Sequence, residues 1–220
     1  MKFYEDYPPR TDKLIMIAAM PDMGNVGGIV IDYINRAVKA KVFRKMVTTY
    51  PSYVTDQEGV ISLPNEEWLY RYADGLMTFG GGSGQPRDSS ELHAACRDVT
   101  EVARRFSARL LYTVGGYHTR APRDPPRAVV TATTEELAGQ LKRSGFAASP
   151  RNSVIQGFNG IMLGYAKVAG IRGIGIFGEL DEPSLPQYRA AKSVIKTLER
   201  LTYRSFGDAS ELDTRGGRGK

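Results

Sequence analysis

The fold class is decided by the segment Leu14–Val38, LIMIAAMPDMGNVGGIVIDYINRAV. Its first part, Leu14–Met20, is a short continuous apolar run bounded by charge and by Pro21, which is typical of a strand buried on both faces. The glycine-rich PDMGNVGG follows. After it, apolar residues recur at helical spacing on one face, at Val26, Ile29, Val30, Tyr33, Ile34, Ala37 and Val38. The segment predicts a strand, a glycine turn and a helix that packs on the sheet.

The same order of elements recurs along the chain. The runs Leu76–Phe79, Leu110–Val114 and Ile174–Phe177 predict further buried strands, and each is followed by glycine. Helical spacing predicts four further helices. The first runs from an N-cap at Ser89 or Ser90 to about Phe106, and the second spans residues 135–144 with Thr133 or Thr134 as its N-cap. The third follows the turn in VIQGFNG (residues 154–160) and runs through Ala169, and the fourth spans residues 187–203. Alternating strands and helices predict an α/β sandwich with a mixed, mostly parallel sheet.

Residues 42–79 have a different pattern. Short segments rich in β-branched and aromatic residues are separated by prolines and by Asp74-Gly75, a strong signal for a two-residue hairpin turn. This stretch predicts an antiparallel insertion that adds strands to the sheet. Its aromatic residues are candidates for a protein interface, with packing inside the sheet as the alternative: Tyr50, Tyr53, Trp68, Tyr70 and Tyr72.

The chain has 220 residues, which fits one domain, and we expect that domain to span residues 1–206. Residues 207–220 are polar and glycine-rich, so we expect a disordered tail.

Charge and composition restrict the function classes. The net charge is +6, but three of the positive charges lie in the tail, so nucleic-acid binding is not favoured. One cysteine, Cys96, excludes an internal disulfide and indicates a reducing compartment. The chain shows no apolar run long enough to span a membrane and no signal peptide, so we expect a cytoplasmic protein.

The glycines that follow the predicted strands suggest a ligand site. In a parallel α/β sheet such positions meet at the carboxyl edge, where ligands commonly bind. The alternative is that the glycines serve turn geometry alone. The candidate crevice for a ligand or partner consists of Asp22, Gly24, Asn25, Gly82, Gln85, Gly115, Tyr117, Asn159 and Glu179.

No catalytic set assembles from the sequence. Ser83 lies in GGSGQ, which misses the G-x-S-x-G pattern of a nucleophile elbow at its last position. The two histidines, His93 and His118, lack metal-ligand spacing, and neither a dinucleotide nor a phosphate-loop motif occurs. We therefore predict no catalytic residues, no metal and no cofactor.

Three segments together resemble the PAC2 family, the proteasome assembly chaperone 2-like proteins that are widespread in archaea. They are MPDMGNVGGIVIDYI (residues 20–34), LLYTVGGY (residues 110–117) and GFNGIMLGYAKVAGIRGIGIFGE (residues 157–179). The resemblance implies a three-layer α/β/α fold of the phosphorylase and hydrolase type, and self-association. For some members it implies binding to proteasome α subunits through a C-terminal hydrophobic-Tyr-any-residue motif.

This sequence ends TRGGRGK, with Arg218 and Gly219 where that motif would lie, so we expect the known docking route to be missing. The favoured interpretation is a non-enzymatic, homo-oligomeric binding protein of the proteasome-assembly-chaperone type. The alternative is a small-ligand enzyme of the phosphorylase or hydrolase type that uses the glycine-lined crevice. A third reading, nucleic-acid binding through the basic tail, is less favoured.

Overall fold

A mixed eight-stranded sheet forms the centre of the molecule. The computed structural model describes residues 1–7, 9, 14–48, 54–150 and 152–216, with side chains described through Thr214. The strands of the sheet are β1 (Lys2–Glu5), β2 (Ile15–Ala18), β3 (Lys41–Val47), β6 (Glu67–Ala73), β7 (Leu76–Gly81), β8 (Leu110–His118), β9 (Ala128–Ala132) and β10 (Gly173–Leu180). Two further strands, β4 (Thr55–Gln57) and β5 (Val60–Ser62), pair only with each other.

Six α-helices accompany these strands in the described part of the chain. They are α1 (Val26–Ala37), α2 (Ser89–Arg105), α3 (Glu135–Arg143), α4 (Gly157–Val168), α5 (Tyr188–Thr202) and α6 (Glu211–Gly216). Thr134 caps α3 as predicted, since its side chain accepts a hydrogen bond from Leu137 N. The cap of α2 differs from the prediction: Asp88 accepts from the backbone N–H groups of Ser90 and Glu91. A carboxylate there also opposes the positive end of the helix dipole.

The strand order is β1-β3-β6-β7-β2-β8-β10-β9. The central strands β7, β2, β8 and β10 are parallel neighbours, and the strands outside them pair antiparallel. The predicted α/β fold with its mixed sheet and antiparallel insertion is therefore confirmed. Asp74 and Gly75 form the β6–β7 turn with φ of 44° and 72°, the left-handed conformation that such two-residue turns require.

Two apolar cores lie on opposite faces of the sheet and complete the three layers. The core on one face contains residues of α1, α3, α5 and α6, including Val30, Leu137 and Val194. The core on the other face contains residues of α2 and α4, including Val99 and Met162. β2, β7 and β8 contribute side chains to both cores, whereas β10 contributes to the first core and, through Phe177, to a small third cluster with Val129 and Leu163. Burial on both faces explains why these strands appear in the sequence as continuous apolar runs.

Several glycines predicted to end strands lie inside them. Gly115 and Gly116 pair with Phe177 and Gly178, so β8 and β10 both continue past the predicted ends. A Cβ on Gly115 would lie 2.3 Å from Asp22 Oδ2. Glycine is needed there because another group approaches the strand closely, and not because the chain turns.

Two of the proposed interface aromatics are buried inside the molecule, so for them the interface prediction is wrong. Trp68 and Tyr70 are 1% and 0% exposed, and they pack on the α2 side of the sheet. Tyr72 is partly buried against the same core. Residues 68, 70 and 72 alternate toward one face of β6, and α2 covers that face. Tyr50 and Tyr53 lie outside the described residues.

The predicted disordered tail is ordered over its first part. Phe206, Ala209 and Leu212 are at most 2% exposed and belong to the core beneath α5, and α6 follows at 211–216. The backbone N–H of Ala209 donates to the hydroxyl of Tyr33 on α1 at 2.9 Å. These three apolar residues, spaced three positions apart in an otherwise polar segment, pack the segment against this core. Residues 217–220 lie outside the described residues.

A buried polar network joins the insertion to α2. Asp98 accepts a 2.5 Å hydrogen bond from the hydroxyl of Tyr70, and it forms an ion pair with the guanidinium of Arg44. Glu5 of β1 also contacts Arg44, at 3.4 Å. The network is the polar part of an otherwise apolar contact between β3, β6 and α2.

Replacement of Asp98 by Ala is expected to lower the free energy of unfolding by about 3 kcal/mol, because it leaves the buried Tyr70 hydroxyl without its acceptor and the partly buried Arg44 guanidinium with only the more distant carboxylate of Glu5. Urea unfolding followed by circular dichroism measures the change. Glu101→Ala is the matched control, since Glu101 lies exposed on the same helix. Equal stability of the two variants would contradict a structural role for the network.

Candidate functional site

The carboxyl end of β2 is held by a side chain from α4. The Asn159 amide nitrogen donates to the carbonyl of Met20 at 3.2 Å, and its Oδ1 accepts from the backbone N–H of the same residue at 3.0 Å. Asn159 is 3% exposed and Met20 is fully buried. The amide thus supplies both backbone partners that a neighbouring strand would otherwise supply.

Gln85 makes a second link between the same two elements. Its Nε2 donates to the carbonyl of Pro21 at 3.0 Å, and its Oε1 accepts from the N–H of Phe158 in the first turn of α4 at 2.7 Å. The close approach requires glycine at position 157, where φ is 72° and a Cβ would lie 2.6 Å from Gln85 Oε1. Gln85 therefore acts as a positioning residue at the start of α4.

Asp22 lies in the turn after β2 and connects three elements. Its Oδ1 accepts from the backbone N–H of Gly27 in α1 at 2.9 Å, and its Oδ2 accepts from the N–H of Gly116 in β8 at 2.6 Å. Asn159 also hydrogen-bonds this carboxyl group. Burial raises the pKa of Asp22 from 3.8 to about 6, although these hydrogen bonds favour the charged form.

A pocket of about 290 Å³ opens beside Asp22 at the carboxyl edge of the sheet. Its wall is mostly apolar, with a few polar groups. The lining residues are Asp22, Met23, Gly116, Tyr117, His118, Val129, Ser149, Pro150, Ser153, Val154, Ile155, Gln156, Asn159 and Phe177. An apolar wall with a few convergent polar groups is typical of a small-ligand or side-chain pocket.

Three predicted crevice residues line this pocket: Asp22, Tyr117 and Asn159. Gly115 lies behind Asp22, and Gln85 holds the neighbouring turn from outside the pocket. Gly24 bonds with its backbone to Pro183 and Gln187 in the segment before α5, and Asn25 is exposed at the start of α1. These residues build the edge of the pocket without lining it.

Two predicted crevice residues lie elsewhere. Gly82 follows β7 beside Trp68 and Glu66. Glu179 is 4% exposed, and its carboxylate accepts from Arg127 Nε and Nη2 at 3.0 and 2.6 Å. This ion pair ties β10 to the segment before β9, so Glu179 has a structural partner and does not face the pocket.

Ser149, Pro150 and residues 153–156 form much of the pocket wall, and sequence reasoning missed them. Val154 is 81% exposed at the rim, while Ile155 packs on the small core of Val129, Leu163 and Phe177. An apolar run just before the glycine turn of α4 was the available signal. It did not show that the run would cross to the end of β8.

The groups considered for catalysis are dispersed. Ser83 hydrogen-bonds Glu66 near the end of β7, and His93 Nδ1 lies 3.0 Å from the hydroxyl of Tyr165 on the α2–α4 contact. Burial raises the pKa of Cys96 to about 12. Within the described residues no group of three His, Cys, Asp or Glu side chains could hold a metal ion. No described helix is long and apolar enough to cross a membrane.

A family model described as the PAC2 family matches residues 16–215. The chain belongs to the PAC2 family. This confirms the resemblance seen in its glycine turns. A Methanocaldococcus jannaschii protein, uncharacterized protein MJ1210, is 23% identical over 197 residues, which cover 86% of this chain and 74% of that protein.

Two solved structures from Pyrococcus furiosus share the PAC2 fold of this chain. PbaB, described as an archaeal proteasome activator, is 24% identical with a TM-score of 0.82, covering 97% of this chain and 93% of PbaB. PbaA, described as an archaeal homolog of proteasome-assembly chaperone, is 17% identical with a TM-score of 0.80, covering 98% and 92%. At these identities the likeness shows the fold.

The raised pKa of Asp22 predicts that the stability of this PAC2 protein falls as pH rises from about 4 to about 6. The folded state holds the proton more tightly than the unfolded chain, so its advantage is complete below the ordinary pKa of 3.8 and lost above about 6. The expected loss is about 3 kcal/mol for a shift of this size.

Urea unfolding of the wild type and of Asp22→Asn across this pH range measures the effect. The free energy of unfolding of Asp22→Asn is expected to lack this loss between about pH 4 and pH 6. The variant is also expected to be less stable than the wild type at low pH, because its amide nitrogen meets a backbone N–H donor. Asp181→Asn, in an exposed loop, is the control. A wild-type profile that parallels that of Asp22→Asn would contradict the prediction.

Proposed function

We propose that this protein is a cytoplasmic, homo-oligomeric binding protein of the proteasome-assembly-chaperone type, without enzymatic activity. The observation that carries the proposal is the PAC2 match over residues 16–215. Two structures of the same fold support it, since one is described as a proteasome activator and the other as a homolog of a proteasome-assembly chaperone. The partners would be further copies of the chain and proteasome α subunits.

The state of Asp22 is consistent with this proposal. Both oxygens of the carboxyl group accept backbone N–H groups, and Asn159 bonds it as well. An acid or base in catalysis needs a lone pair or proton aimed at a substrate. This carboxyl group instead holds α1, β8 and α4 together, which suits a rigid surface for binding.

Immobilised protein is expected to retain isolated proteasome α subunits and not β subunits, which serve as the matched control. Light scattering after size-exclusion chromatography is expected to give a multiple of the chain mass. A monodisperse monomer that retains neither subunit would contradict the proposal.

A second candidate, a small-ligand enzyme of the phosphorylase or hydrolase type, is supported by one observation. The pocket lies at the carboxyl edge of the parallel strands and combines apolar walls with Asp22, His118 and Asn159. A small ligand with hydrogen-bonding groups on an apolar body would fit these walls.

A thermal-shift screen with nucleosides, nucleotides and phosphate separates the candidates. The binding-protein proposal predicts no shift in Tm. The second candidate predicts a rise of several degrees that Val154→Trp abolishes by filling the rim. Val168→Trp is the control, since Val168 is 91% exposed at the far end of α4. A ligand-induced rise in Tm that is kept in Val168→Trp and lost in Val154→Trp would favour the enzyme.

A further inference from the structure

The hairpin of β4 and β5 leaves the body of the molecule with apolar residues exposed. We call residues 54–63 the hairpin arm. Four of its ten residues are large, apolar and exposed: Val54 (52%), Val60 (68%), Ile61 (59%) and Leu63 (69%). Within the described residues its strands pack mainly on each other and pair with no strand of the main sheet. An isolated two-stranded hairpin is marginally stable in water, so an apolar arm of this kind gains stability from a partner.

The apolar residues are concentrated on one face of the arm. Asp56 lies opposite Ile61, and Gln57 lies opposite Val60. Since side chains alternate along a strand, Ile61 shares its face with Leu63 and Val54, whereas Val60 shares the other face with Thr55 and Ser62. One face is thus apolar with a single carboxylate, and the other is mostly polar.

Within the described residues, the apolar core on one face of the sheet does not reach the outer strands. The core beneath α1 and α5 contains residues of β7, β2, β8, β9 and β10, but none of β1, β3 or β6. On that side of β1, β3 and β6, part of the sheet faces outward. We call this the open face, and its residues are Lys2, Tyr4, Val42, Lys45, Leu69 and Arg71.

The open face combines apolar surface with positive charge. Tyr4 and Val42 are 48% and 38% exposed, and the ammonium of Lys45 lies 5.4 Å from the centre of the Tyr4 ring. The three cations exceed the nearby carboxylates, which are Glu67, 3.3 Å from Lys45, and Asp32, whose charge acts on Arg71. The buried Nη1 of Arg71 has no hydrogen-bond partner among the described residues.

The hairpin arm has the opposite charge. It carries Asp56 and Glu58 and no basic residue. Asp56 lies on the same face as Ile61, so an apolar contact through that face also places a carboxylate against the partner. The open face complements both features of the arm, because it offers apolar area around Tyr4 for the apolar side chains and cations at Lys45 and Arg71 for the carboxylate.

We propose that the hairpin arm of one copy packs its Val54–Ile61–Leu63 face on the open face of a second copy of this chain. The inference rests on the proposed self-association and names the surfaces that produce it. The contact joins two different patches, so it closes either as a reciprocal exchange of arms in a dimer or as a ring.

The first test compares two faces of the same arm. Ile61→Asp and Leu63→Asp are expected to shift the mass measured by light scattering from the oligomer to one chain, because each puts a charge into the apolar contact. Val60→Asp is the matched control on the opposite face and is expected to keep the wild-type mass. All three sites are exposed, so near-wild-type circular dichroism is expected for each variant.

The second test identifies the receiving surface. A Tyr4→Cys chain is mixed with an Ile61→Cys chain and treated with a short bismaleimide, and mixed-chain dimers are expected on a denaturing gel. Cys96 is buried and does not compete. Ile61→Cys homodimers without mixed dimers would overturn the proposal in favour of arm-to-arm contact.

The outcomes separate this inference from the proposed function. A wild-type monomer would overturn this inference, and a wild-type monomer that also retains no proteasome subunit would contradict the proposed function as well. A wild-type oligomer whose mass is unchanged by Ile61→Asp and Leu63→Asp would overturn the inference alone. Loss of proteasome α-subunit retention in these variants with an unchanged oligomer would assign the arm to that partner and also overturn it.

Discussion

The two hydrogen bonds between the Asn159 side chain and the backbone of Met20 are the contact on which the site depends. They join residues 139 positions apart and satisfy both backbone polar groups of a fully buried residue. Because these bonds hold the end of β2 to the start of α4, they also fix the position of the turn at Asp22. The carboxyl of Asp22 can then reach α1 and β8 together. The pocket is the space left beside this fixed turn.

The same constraint explains the glycines around the turn. Gly115 leaves room for the Asp22 carboxyl, and Gly157 leaves room for Gln85 at the start of α4. These residues admit side chains that tie backbone segments together, so the edge of the sheet is rigid. A PAC2 protein with such an edge presents a preorganised surface, and preorganisation lowers the entropy lost when a partner binds.

The two faces of the sheet are covered unequally, and this difference links the fold to the proposed self-association. On the α2 and α4 side, the core extends outward to Phe43 of β3 and to Trp68 and Tyr70 of β6. On the α1 and α5 side, the core includes none of the three outer strands. The insertion that adds β3 and β6 to the sheet also carries the hairpin arm. One insertion therefore supplies both a large part of the exposed sheet surface and an apolar segment of opposite charge.

The sequence by itself determined the local elements and the family. Apolar periodicity predicted α1 and the buried strands, Asp74-Gly75 predicted the hairpin, Thr134 was one of two candidate caps for α3, and the glycine turns indicated PAC2, because each signal lies within a few neighbouring residues. Only the tertiary structure decided that Trp68 and Tyr70 are buried, that residues 207–216 dock on the core, and that Glu179 pairs with Arg127 away from the pocket. Each of these outcomes depends on which distant side chain fills a given space. Spacing along the chain does not encode that choice, since the contacts join residues tens of positions apart.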